Sequence, residues 1–129
     1  MAVRWLYVCF RWDKGMSRVW LPEGEGTIFK EGKDVKLWLD DLRPAPEGYE
    51  PVKSVREAQT VIEQIEAEGG TIEVIDLDHD LGDYAQFGGD GIKLLDYLLE
   101  RGTLYPVKFH TANPVGRANM ERMVQRYWP

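Results

Sequence analysis

Three apolar runs in this chain each stop at acids or an imidazole. Lys36-Leu37-Trp38-Leu39 stops at Asp40-Asp41, the run 72–77 stops at Asp78-His79-Asp80, and Val107-Lys108-Phe109 stops at His110-Thr111-Ala112-Asn113. Short apolar runs bounded by polar residues suit the buried strands of a parallel sheet. Parallel strands deliver the groups that follow them to one edge. In open α/β sheets that edge is where ligands bind.

The segments between the runs support this reading. Residues 43–48 carry two prolines, which forbid a helix interior, so a Pro-rich loop follows the first strand, 35–39. A short strand is expected over 49–53. Ser54 then caps a helix, Glu57 completes a capping box, Val55, Ala58, Val61, Ile62 and Ile65 share one face, and Gly69-Gly70 ends it. After the strand 72–77 comes a loop, 82–89, read as flexible. Asp90 is expected to cap a second helix whose Ile92, Leu95, Leu98 and Leu99 face the core, with Gly102 at its end. A strand over 105–109 leads to Asn113-Pro114, a cap followed by proline at the first helical position. Met120, Met123, Val124 and Tyr127 form the stripe of that last helix. Strands alternating with helices predict a parallel sheet with crossover helices.

Residues 1–34 read differently. Three β-rich stretches, 4–10, 18–21 and 27–29, are separated by Asp13-Lys14-Gly15, Pro22-Glu23-Gly24-Glu25-Gly26 and Glu31-Gly32. They predict a small antiparallel meander, an N-terminal β extension (1–34) adding strands to the edge of the α/β domain (35–129). Met16 offers an alternative start that would remove the first strand. Of the tryptophans, Trp38 is assigned to packing. For Trp5, Trp12, Trp20 and Trp128 the roles of core, edge cover and homodimer surface stay open.

With 129 residues the chain makes one domain with a real core. The net charge of −6 argues against a long nucleic-acid duplex as partner, because neutralising a phosphate backbone needs a basic surface. It leaves room for a small phosphorylated ligand or an RNA terminus. The single cysteine, Cys9, forms no disulfide within the chain, which points to the cytoplasm. The apolar stretch 5–12, broken by Arg11, is too short for a membrane span.

The strand ends suggest chemistry. Asp40, Asp41 and Asp78 would repel one another unless a cation sat among them, and an all-oxygen set of this kind suits Mg²⁺ or Mn²⁺. The competing reading makes Asp40 and Asp41 loop caps. Asp76, inside its strand, is read as a satisfied polar residue or a strand-edge acid rather than a ligand. His79 and His110, the chain's two histidines, both fall on the predicted edge, where imidazoles serve as general base and general acid. The alternatives are a transition-metal ligand in either case, or two hydrogen-bonded surface histidines. The junction into the last helix offers an anion site built from Thr111, Asn113 and Arg117, with Arg43 as a further phosphate ligand or a partner of Asp41. Gly88-Gly89-Asp90-Gly91 lacks the spacing of a phosphate loop.

The order of these groups resembles the receiver domain of two-component signalling, a flavodoxin-like fold. In that resemblance Asp40 and Asp41 match the metal-binding pair, Asp78 the phospho-acceptor and Thr111 the hydroxyl residue, and Gly89-Asp90-Gly91-Ile92 the start of a helix. The chain departs from it in three ways. The first helix is replaced by the Pro-rich loop, the usual phosphate-binding lysine is missing, and so is one strand–helix unit. Leu37-Trp38-Leu39-Asp40-Asp41-Leu42-Arg43-Pro44, Leu77-Asp78-His79-Asp80-Leu81-Gly82 and residues 110–120 more closely resemble a divergent branch, the cyclic-phosphate processing receiver-like family. That resemblance implies action on a cyclic phosphate, such as a 2′,3′-cyclic RNA end in RNA repair or a cyclic nucleotide. Hydrolysis would use His79 and His110 as the acid–base pair, a metal on Asp40, Asp41 and Asp78, and phosphate contacts from Arg43, Thr111, Asn113 and Arg117. A sensor that binds without turnover is the second expectation, and a receiver phosphorylated on Asp78 the third.

Overall fold

The structure, a computed structural model, describes residues 5–12, 15–22 and 34–129. Ten elements follow in chain order: β1 (Trp5–Trp12), β2 (Gly15–Pro22), β3 (Asp34–Leu39), β4 (Tyr49–Val52), α1 (Val55–Ala67), β5 (Thr71–Leu77), a 3₁₀ turn (Gly82–Gln86), α2 (Ile92–Arg101), β6 (Val107–Phe109) and α3 (Pro114–Tyr127). β3 to β6 form a four-stranded parallel sheet in the order β4-β3-β5-β6. The chain steps outward from β3 to β4 and then returns to the other side of β3. The switch point of this doubly wound order therefore lies between β3 and β5.

Register does more than topology to position the site. Leu39 lies opposite Leu77, and Leu77 opposite Phe109. The Asp78 N–H donates to the Leu39 carbonyl at 2.8 Å and the His110 N–H to the Leu77 carbonyl at 3.2 Å. Three strands thus end level, and Asp40, Asp78 and His110 leave the sheet side by side.

A bulge makes this compatible with a core. Val35 pairs with Ile72 but Lys36 pairs with Val74, so Glu73 is an extra residue in β5. The insertion resets the alternation, and Ile72, Ile75 and Leu77 all join Leu37 and Leu39 in one buried cluster. The same cluster takes Val55, Ala58, Val61, Ile62 and Ile65 from α1, Leu94, Leu95 and Leu98 from α2, and Met120 from α3. Val107 and Phe109 pack against it. Lys108, Asp76 and Trp38 alternate to the opposite face of the sheet.

The helix signals hold with local corrections. The Ser54 hydroxyl accepts the Glu57 N–H at 3.0 Å, while the Glu57 carboxylate accepts the N–H of Lys53, one residue before the cap. The Asn113 side chain accepts the Gly116 N–H, and Pro114 opens α3. Asp90 does not cap α2. Its carboxylate accepts the Leu81 N–H instead, and Gly91 stands at the cap. On α2, Leu94 takes the buried place expected for Leu99, which is half-buried. On α3, Tyr127 is exposed and Trp128 covers the core, its indole N–H donating to the Tyr105 carbonyl at 2.9 Å. The expected flexible loop after β5 is a fixed one: Leu81 is fully buried, residues 82–86 form the 3₁₀ turn, and the Phe87 carbonyl accepts the Arg56 N–H.

β1 and β2 pair antiparallel along their whole length, Trp12 opposite Gly15. They make a separate two-stranded sheet and do not extend the parallel one as expected. Their partners are each other, and the parallel sheet's edges, β4 and β6, are only four and three residues long. The third expected strand, 27–29, lies outside the described residues, as do the side chains of Trp5, Trp12 and Trp20. Among the described residues no helix is long and apolar enough to cross a membrane.

Gly91 is where helix and sheet touch. Its N–H donates to the His79 carbonyl at 2.7 Å, and a Cβ there would stand 1.9 Å from the Asp78 carbonyl oxygen. Backbone cannot yield as a flexible side chain does. Gly91→Ala is expected to lower unfolding free energy by roughly 1–3 kcal/mol, the usual cost of overpacking, measured by urea denaturation. An unchanged midpoint would contradict this packing.

Candidate active site

The three loops that follow β3, β5 and β6 enclose a cavity of about 350 Å³. The first contributes Asp40, Asp41, Leu42 and Arg43, the second Asp78, Asp80 and Gly82, the third Thr111, Ala112 and Asn113. Six of the nine residues singled out from sequence therefore share one pocket: Asp40, Asp41, Asp78, Arg43, Thr111 and Asn113. His79, His110 and Arg117 lie outside its lining.

Asp40 is the hub. Only 4% exposed, it accepts the N–H groups of Leu42 at 2.8 Å and Arg43 at 2.9 Å on one oxygen and meets His110 Nε2 at 2.8 Å with the other. Burial works to raise its pKa, but the two backbone donors and His110 outweigh it and hold the carboxyl below its ordinary range. Asp41 goes the other way. Burial, then the charges of Asp40 and Asp78, raise its pKa. Ligand oxygens from Asp40, Asp41 and Asp78 lie within 4.8 Å of one another. Asp78 is buried, and one of its oxygens accepts the His79 N–H at 2.8 Å.

His110 sits between two carboxylates, its Nδ1 2.8 Å from Asp76 and its Nε2 2.8 Å from Asp40. Carboxylates only accept, so both contacts are hydrogen bonds when both ring nitrogens carry hydrogen. The indole of Trp38 lies flat on the ring, centroids 3.7 Å apart and planes 4° from parallel, a face that suits a cation. Tyr49 meets the indole edge-on, and the Trp38 N–H donates to the Arg43 carbonyl. Trp38, expected to be packing, is thus a wall of the polar cluster. Asp76, expected to be satisfied, is satisfied by His110. Both follow from alternation once the β5 register is known.

His79 stands on the other flank. Its Nδ1 lies 2.9 Å from an Asp80 oxygen, and Asp80 also accepts both contacts of the Asn113 amide. The hydrogen bond from His79, with help from Asn113, holds the Asp80 carboxyl below its ordinary range. Asn113 is thereby committed at both ends, to Asp80 and to the α3 cap. His79, Asp80 and Asp90 form a second group of ligand atoms within 4.8 Å. The His79 ring packs on Gly116, where a Cβ would stand 2.4 Å from the ring. Glycine at the first turn of α3 is what lets the imidazole lie there.

The cations are few. Arg43 donates to the His110 carbonyl at 2.6 Å and so braces the β3 loop against the end of β6. Arg117 is paired along α3 with Glu121 at 2.9 Å. Thr111 is buried, and its hydroxyl accepts the Asn113 N–H while keeping its own hydrogen to donate. Asp80, Leu42, Gly82 and Ala112 were not singled out from sequence. Asp80 ends the same apolar run as Asp78 and could have been.

Acids at adjacent strand ends, a hydroxyl after the next strand and a helix beginning beside it reproduce the arrangement the sequence resemblance implies. No curated protein and no solved structure matches the chain. The cyclic-phosphate processing receiver domain matches residues 35–126, which is the whole parallel sheet and its helices as far as the last turn of α3. The chain belongs to that family.

Proposed function

We propose that the protein hydrolyses a cyclic phosphate, a 2′,3′-cyclic nucleotide or RNA end, at the mouth of this pocket. The observation that carries the reading is the level ending of β3, β5 and β6, which gathers Asp40, Asp41, Asp78 and Thr111 around one cavity in a chain of this family. The donor set fits a hard divalent cation: three carboxylates from neighbouring strand ends, one of them, Asp41, with its pKa raised by burial and by the other two. Asp40, Asp41 and Asp78 would hold Mg²⁺ or Mn²⁺. When bound, such an ion neutralises the phosphoryl oxygens and polarises phosphorus towards attack.

The protein's own groups divide the remaining work. Thr111 has a hydroxyl hydrogen, and Arg43 has N–H groups beyond the one given to His110, both directed to phosphate oxygens in this reading. The contact of His79 Nδ1 with Asp80 orients the ring and leaves Nε2 to exchange a proton with water or the leaving oxygen. His110 has no free nitrogen. It acts as a positioning residue, holding Asp40 in place while Asp76 and Trp38 hold the ring.

Three outcomes test this. First, 2′,3′-cyclic AMP should be opened in the presence of Mg²⁺ or Mn²⁺, and His79→Gln should lower kcat by on the order of 10²–10⁴-fold. Stoichiometric binding without turnover would favour the sensor reading, and an added phosphoryl mass on Asp78 after acetyl phosphate the receiver reading. Gly116→Ala, which pushes the ring aside, should lower kcat in the same direction. Second, His110→Gln should raise the Mg²⁺ concentration for half-maximal rate by roughly 10–100-fold, the usual effect of removing a group that orients a metal ligand. An altered kcat with unchanged Mg²⁺ dependence would instead give His110 a direct proton-transfer role.

Third, Asp41 ionises at a cost. Its folded pKa lies above the free value of 3.8, so the penalty is absent well below that pH and is complete once pH has risen past the folded value. Asp41→Asn should therefore raise Tm near neutral pH in chelator, with the gain fading as pH falls through this range. Mg²⁺ should raise the Tm of the unaltered protein and leave the variant unmoved.

A further inference from the structure

The cavity holds more than a phosphate needs. At about 350 Å³ it equals roughly ten to twelve water volumes of ~30 Å³ each, and it falls at the small end of the roughly 300–1,000 Å³ typical of organic ligands. A pocket of that size has room for part of an organic group beside a phosphate.

One wall has an unusual residue for that part. Leu42 lines the cavity yet is 86% exposed. Isolated exposed leucines are ordinary, but this one is fixed. Its N–H and that of Arg43 are both taken by Asp40, the Arg43 carbonyl accepts the Trp38 indole N–H, and the Arg43 guanidinium is anchored on the His110 carbonyl. These contacts hold the loop backbone, and Leu42 presents an apolar surface to solvent beside the pocket. Besides the three acids assigned to the metal, the lining holds a further carboxylate acceptor, Asp80. Apolar contact and a carboxylate acceptor beside it match a nucleoside cyclic phosphate, whose base has apolar faces and whose exocyclic amino group and free 5′-hydroxyl donate. An alkyl chain would leave the acceptor unmatched.

We infer that Leu42 is a specificity-determining residue, seating the base of a nucleoside cyclic phosphate so that its phosphate reaches the acids of β3 and β5. This rests on the cyclic-phosphate reading above. The test compares two ligands, 2′,3′-cyclic AMP and glycerol 1,2-cyclic phosphate, which has the ring and no base. Both kcat/KM and equilibrium binding are measured for the unaltered protein, Leu42→Ser and Leu42→Met. The nucleotide should be preferred, Leu42→Ser should cut that preference about tenfold, as expected for losing part of a leucine's apolar contact, and Leu42→Met should restore most of it. Equal treatment of the two ligands by the unaltered protein, or equal losses in Leu42→Ser, would overturn the inference while leaving cyclic-phosphate processing intact. Neither turnover nor binding of either ligand would overturn both. Binding without turnover, still dependent on Leu42, would support base recognition by a sensor.

Discussion

The chain of contacts Asp76–His110–Asp40 ties three strands together where they end, and the pocket depends on it. Each member comes from a different strand end, and each contact is 2.8 Å. Carboxylates on neighbouring strands repel, and an imidazole between two of them replaces that contact with two charge-assisted hydrogen bonds. Trp38 closes the ring from its own strand by lying flat on the imidazole. With the ring held, Asp40 can accept the Leu42 and Arg43 N–H groups, which shapes the loop, and Arg43 can return to the His110 carbonyl. A loop shaped in this way needs no helix after β3, which gives a physical account of the Pro-rich segment where a receiver domain has its first helix.

The two flanks of the pocket are built by different means. On the β3 side, side chains cross between strands, with Asp40 buried and His110 and Asp76 half-buried. On the β6 side, a helix start does the positioning: Asn113 caps α3, holds Asp80 with its amide, and so places His79 against Gly116. One flank is tied strand to strand by side chains, the other is anchored by a helix terminus. The acids in the middle, Asp41 and Asp78, stand beside each other and beside Asp40, and burial together with these like charges raises the pKa of Asp41.

Much of this was legible in the sequence because the signal was simple. An apolar run that ends at an acid marks both a strand and its exit, so the parallel sheet, its helices and six pocket residues could be read directly. Asn113-Pro114 and Ser54 marked helix starts for stereochemical reasons that hold in any context. What could not be read was anything that depends on relative register. Asp76 and Trp38 belong to the site because β3, β5 and β6 alternate in phase, and phase is a property of pairing. Arg117 sits one turn into α3 as expected, but Glu121, four residues on, takes its guanidinium. Asp90 looked like a cap because caps are local, yet the close approach of Gly91 to β5 assigns it to Leu81. The N-terminal strands were visible as strands, but which sheet they would join was not.

The extra residue at Glu73 separates the two ends of β5 into different tasks. Upstream of it, Ile72 anchors the strand in the core opposite Val35. Downstream, Asp76 and Leu77 keep strict step with β3. A strand without that insertion would have to choose: bury Ile72, or present Asp76 to the imidazole. The bulge acts as a clutch, letting the entrance of the strand serve cohesion while its exit stays aligned with the neighbouring strand ends.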